Sequence, residues 1–162
     1  YAALPASYAG NKAVRLKVHL AATMAGMAFT QAGLGLCHAM AHSLGGMFHV
    51  PHGRLNAILL PAVVEANAAA TAQYAELARG AGLGGSADAM GVRNLKNALI
   101  RLRKELQLPQ TLAQAGIKPR EVKEAAPSLI AAALADPCCE TNPVRPDKAM
   151  VQSILQQVTG IG

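Results

Sequence analysis

GLCHAMAHSLGGMFHVPHG, residues 35–53, holds four of the chain's five histidines in fifteen positions: His38, His42, His49 and His52. His38 and His42 stand four apart, so on a helix their rings share one face, one turn apart. The spacing predicts a helix over 36–44, ended by Gly45 and Gly46. Pro51 holds the residues before it extended, which predicts a loop over 47–53. That loop ends on His52, stiffened by Pro51 and followed by Gly53, and returns a third imidazole to the helix. Imidazole binds borderline divalent metals and moves protons near neutral pH. A lone histidine is usually packed or solvated, but four flanked by turn residues mark a metal or catalytic site. On spacing alone, His38, His42 and His52 are three candidate ligands. The pair shares its spacing with the HExxH zinc motif, but Ala39 stands where a peptidase needs its glutamate. His19 lies apart, among apolar residues, and reads as structural.

The sequence around this stretch is helical in character. It is rich in Ala and Leu, has no Trp, and lacks runs of Val, Ile, Thr and Tyr, so an all-α domain is expected. With 162 residues, one domain with a real core is expected, without an internal boundary. Residues 1–11 read as a connector. From Lys12, one apolar row (Val14, Val18, Ala21, Ala25, Ala28) and a second (Leu16, Leu20, Met24, Met27) predict a helix buried on most sides. Gly33 and Gly35 then permit a turn or a close approach of backbone. Further helices are predicted over 54–69 with Pro61 inside, 71–79, 86–107 capped by Ser86, 119–135 with Pro127 inside, and 147–158. Residues 136–146 form a loop with Cys138 and Cys139.

Several functions are disfavoured. The run 20–36 is interrupted by Gly26, Gly33 and Gly35 and reads as a core helix, so no membrane span is expected. The net charge of +6 raises nucleic acid as a partner. However, Arg93, Lys96, Arg101, Arg103 and Lys104 lie largely opposite Leu95, Leu99, Leu102 and Leu106, which predicts a solvated helix face. Aromatics are only 3% of residues, too few for base stacking, and nucleic-acid binding is not expected. Three cysteines make no disulfide framework, and a reducing, cytoplasmic setting is expected.

GMAFTQAGLGLCHAMAHSLGGMFHVPHGRLNAILLP, residues 26–61, closely resembles the signature region of the iron-containing (group III) alcohol dehydrogenases. DPCCETNP, residues 136–143, is similar to a stretch of the same family's C-terminal helical domain, so the resemblance covers nearly the whole chain. The resemblance implies NAD(P)-linked interconversion of a small alcohol and its aldehyde on Fe(II), or on Zn(II) as in some relatives. It implies that His38 and His52 are metal ligands. It moves His42 from the ligand set to the nicotinamide and substrate side, where it assists proton movement. Phe29 and Cys138 align with positions that line the substrate pocket. His49 receives no role.

The family's remaining ligands, an Asp-x3-His pair, and its glycine-rich nucleotide turn are not found in residues 1–162. The chain is therefore expected to be a fragment, beginning at Tyr1 in mid-sequence, whose partner is its own N-terminal nucleotide-binding domain. The fragment alone is expected to be inactive, and a homodimer is expected of the whole. The wording CHAMAH is closer to single-function ethanol or propanol dehydrogenases, including those of bacterial microcompartments, than to bifunctional aldehyde–alcohol dehydrogenases. The alternative is a non-catalytic helical assembly domain carrying an incomplete metal site.

Overall fold

Prolines and acidic caps fix several helix ends directly. In the computed structural model, which describes residues 2–70 and 72–160, α7 (Pro119–Ala135) starts at a proline whose missing N–H costs the first turn nothing. Glu121 Oε2 reinforces that start by accepting the Lys118 N–H at 3.1 Å. α8 (Lys148–Thr159) is capped by Asp147, whose Oδ1 accepts the Met150 N–H at 2.8 Å. Both helices lie where the apolar spacing places them.

The other helices are α1 (Leu4–Tyr8), α2 (Lys12–Ala32), α3 (Leu36–Phe48), α4 (His52–Asn67), α5 (Gln73–Gly80) and α6 (Asp88–Glu105). Short 3-10 turns cover Ala68–Ala70 and Pro137–Thr141. No strand occurs among the described residues, so the all-α expectation holds. The core lies where α3, α4, α7 and α8 meet. Leu36, Met40 and Leu44 of α3 pack with Leu55 and Leu59 of α4, Leu129 of α7 and Val151 of α8. A smaller cluster of Val64, Ala78 and Leu95 seats the α5–α6 pair on α4.

Several expectations fail for identifiable reasons. A turn of helix, α1, occupies part of the expected connector, while Tyr1 and Thr71 lie outside the described residues. α3 does not stop at Gly45 and Gly46; it runs on to Phe48 and ends at His49, which adopts the left-handed conformation at φ 55°. Its N–H then bonds the Gly45 carbonyl at 3.0 Å. α4 starts at His52, not Arg54. Ser86 caps nothing: α6 starts after Ala87 without a side-chain cap.

α2 is not a core helix. None of its residues is buried, and Leu16, Leu20, Met24 and Met27 are 55–69% exposed. His19 is likewise exposed rather than structural. The run 20–36 is not one helix either, because α2 and α3 meet at 105°. No single described helix is long and apolar enough to cross a membrane.

Arg103 departs from the solvated face of α6. It is only 9% exposed, and its Nη1 donates to the carbonyls of Ala57 (3.0 Å) and Ile58 (3.1 Å) in α4. The cause is Pro61. In an unbroken helix the N–H four residues on would bond Ala57, and proline has none. Lys96 also has a partner, Glu65, at 2.7 Å.

The α2–α3 turn carries the loop that reaches the histidines. Gly33 and Gly35 have φ of 78° and 77°, open to glycine and strained for other residues. The Thr141 side chain occupies the place a Gly33 Cβ would take. Next to it, Asn142 Oδ1 accepts the Leu36 N–H (3.1 Å) and an Asn67 amide N–H (3.0 Å). Asn142 Nδ2 returns a bond to Asn67 Oδ1 at 2.8 Å. Asn67 is buried, so this paired amide joins the start of α3, the end of α4 and the 136–146 loop in one clasp.

Candidate metal centre

α3 buries Leu36, Met40 and Leu44 and leaves His38 half-buried and His42 exposed one turn later. The left-handed turn at His49 redirects the chain so that Pro51 leads into α4 with His52 as its first residue. This turn is the structural use of the histidine that the sequence left without a role. The three remaining rings converge. Centroids lie 5.0 Å apart for His38–His52, 5.0 Å for His42–His52, which are stacked at 17°, and 6.2 Å for His38–His42. Each offers a ligand atom within 4.8 Å of the others.

His38 Nδ1 and His52 Nε2 face one another at 3.1 Å. Two lone pairs so placed require a shared proton or a shared cation. Two ligands at about 2.1 Å from one ion, in neighbouring coordination positions, have about this separation, so the donor set fits a divalent metal. Burial lowers the His38 pKa, the charges of His52 and His42 lower it further, and Asp136 opposes them. The net shift favours the neutral, metal-binding imidazole.

Two neighbours were not visible from spacing. Asn56, one turn into α4, places its amide Nδ2 at 2.8 Å from His52 Nε2. The amide is held by the thiol of Cys37, which donates to Asn56 Oδ1 at 3.3 Å; burial pushes that thiol up to about 12, so it stays protonated. The second neighbour is Asp136, whose Oδ2 lies 2.8 Å from His42 Nδ1. Its Oδ1 accepts the Cys138 N–H at 2.8 Å. Burial pushes the Asp136 carboxyl up, but the bonds from Cys138 and His42 outweigh it and hold the group below the usual range. The only sequence signal for Asp136 is its place at the head of the cysteine loop.

The flanking candidates are also near. The Phe29 ring, at the end of α2 and 45% exposed, lies 6.4 Å from the His38 ring. Cys138 is half-buried, with a potential ligand atom within 4.8 Å of those of His42 and Asp136. Burial, then Asp136, push its thiol up to about 11, so it is a neutral wall rather than a nucleophile. All three cysteines are free thiols.

Comparison with known proteins places this arrangement. Residues 1–159 match the family described as "Fe-containing alcohol dehydrogenase family, C-terminal". The chain belongs to that family. It is 39% identical over 153 residues to an NADPH-dependent butanol dehydrogenase of Clostridium saccharobutylicum, covering 94% of this chain and 39% of that protein. It is 41% identical to the 1-propanol dehydrogenase PduQ of Citrobacter freundii, covering 90% and 41% respectively. In three dimensions it superposes on the iron-containing alcohol dehydrogenase of Thermococcus thioreducens with a TM-score of 0.87 at 32% identity, covering 98% of this chain and 40% of that one. The chain thus spans about two fifths of the length of each of these relatives.

Proposed function

We propose that this chain is the helical metal- and substrate-binding part of an NAD(P)-linked alcohol dehydrogenase that interconverts a small primary alcohol and its aldehyde. The observation that carries this reading is the convergence of His38, His42 and His52 at one point, with His38 and His52 nitrogens 3.1 Å apart, in a chain of this family. His38 and His52 hold the metal, Fe(II) or in its place Zn(II), together with an aspartate and a histidine from the rest of the protein. The bound ion supplies Lewis acidity toward the substrate oxygen.

His42 has a different role. Its Nδ1 is already bonded to Asp136, which supports moving the alcohol proton rather than forming a third ligand bond. It also faces the nicotinamide. Phe29 and Cys138 bound the space in which the alkyl group sits. NAD or NADP is held by an N-terminal nucleotide-binding domain. The uncovered apolar row of α2 supports packing against such an additional segment. The whole protein works as a homodimer, and the three free thiols support a reducing, cytoplasmic setting.

Metal analysis after anaerobic Fe(II) or Zn(II) loading tests the division of labour. The full-length protein is expected to retain one ion per chain, and this chain alone little. His38→Ala and His52→Ala lose the ion. His42→Ala keeps it and slows turnover by about 10²–10⁴. Equal metal loss in all three variants refutes the assignment.

A further inference from the structure

Asp136 is 94 residues from His42 in sequence, yet the loop that carries it is fastened before any ligand arrives. The Asn67–Asn142 clasp fixes the loop to Leu36 at the start of α3, two residues ahead of His38. Within the loop both carboxylate oxygens are engaged. Oδ1 caps the 3-10 turn at the Cys138 N–H, and Oδ2 faces the imidazole. The cap needs one oxygen only, so the second bond is not a by-product of the turn. Its setting is sheltered, with the Asp136 side chain 16% exposed.

We propose that Asp136 is the positioning residue for His42, holding its ring as the Nδ1–H tautomer and turning the Nε2 lone pair to the reacting proton. An ionised carboxylate only accepts hydrogen bonds, and a neutral imidazole carries one donor and one acceptor. The proton therefore sits on Nδ1, and Nε2 is the acceptor. During oxidation the hydroxyl proton passes to Nε2 of the ring that the carboxylate holds. Reduction runs the same path in reverse. The proposal rests on the role given to His42 above.

The experiment is ¹⁵N NMR of histidine-labelled, metal-free full-length protein, with His42 assigned by loss of its signals in His42→Gln. The expected spectrum shows His42 protonated at Nδ1. In Asp136→Asn, Oδ1 still caps Cys138 while Nδ2 donates to the ring, so the signals exchange to the Nε2–H pattern. In the metal-loaded protein the same variant lowers kcat by about 10²–10⁴. KM stays within about threefold, because ground-state binding is untouched, and metal content is unchanged. Asp136→Glu restores the Nδ1–H pattern and part of kcat. An Nε2–H pattern in the unmodified protein overturns the proposal without recourse to any variant. So does a tautomer exchange in Asp136→Asn that leaves kcat unchanged while His42→Ala lowers it. If His42→Ala leaves kcat unchanged, the role of His42 falls, and this proposal with it.

Discussion

Arg103 and Pro61 form a coupled pair that can be measured. Pro61 deprives the Ala57 carbonyl of its helical donor, and Arg103 Nη1 supplies one at 3.0 Å, with a second bond to Ile58 at 3.1 Å. A bond from a charged donor contributes about 1.5–3 kcal/mol, and an unsatisfied buried acceptor costs about 1–3 kcal/mol. Burial lowers the pKa of the guanidinium, which signals a desolvation cost that offsets part of the gain. Arg103→Met is therefore expected to destabilise the protein by about 2 kcal/mol. In a Pro61→Ala background the new N–H reaches Ala57, and the same substitution is expected to cost about 1 kcal/mol or less. The assay is urea unfolding of the four proteins of the double-mutant cycle at fixed pH. An equal cost of Arg103→Met in both backgrounds refutes the idea that the arginine replaces the missing proline donor.

Two further perturbations test other parts of the structure. Gly33→Ala combines a left-handed backbone with overlap on the Thr141 side chain, and is expected to lower stability by about 3 kcal/mol in thermal unfolding. Thr141→Gly in that background relieves the overlap and leaves the dihedral strain, so full recovery contradicts the account. Glu65 has its carboxyl pKa lowered by its bond to Lys96, then by Gln157, against the opposing effect of burial. Its stabilising contribution is thus complete above the ordinary glutamate value and is lost as pH falls through the lowered one. Glu65→Gln is expected to flatten the stability curve below about pH 4 and leave its slope near neutrality unchanged; an unchanged acid limb contradicts this.

The elements that were legible in the sequence carry local signals. Pro119 and Asp147 mark helix starts because proline and aspartate satisfy first-turn geometry without outside help. The three histidines that converge were legible because helix periodicity and a proline loop bring them together within fifteen residues. What failed depends on distant partners. Gly45 reads as a helix stop, but its bare backbone lies inside a helix and faces Leu55 of α4, where a Cβ would stand 3.4 Å from the leucine. The apolar rows of α2 record that a partner surface is needed, and periodicity cannot say where that surface lies. Arg103 reads as a surface charge because its partners are backbone carbonyls, which a sequence does not distinguish. Asp136 and Asn142 were missed because their partners lie far along the chain, 94 and 106 residues away.

The Asn67–Asn142 clasp bears on how substrate range can change. Phe29 hangs from the glycine turn that Thr141 and Asn142 fill, whereas His38 and His52 are set by the direct packing of α3 on α4. Substitutions around Thr141 are therefore expected to re-aim α2 and its aromatic ring while the His38 and His52 nitrogens keep their spacing. On the assignment proposed above, in which Phe29 bounds the alkyl group and His38 and His52 hold the metal, variation in that short loop changes the shape of the pocket separately from metal capture. Homologues that differ in preferred alcohol are expected to differ there before they differ at the histidines.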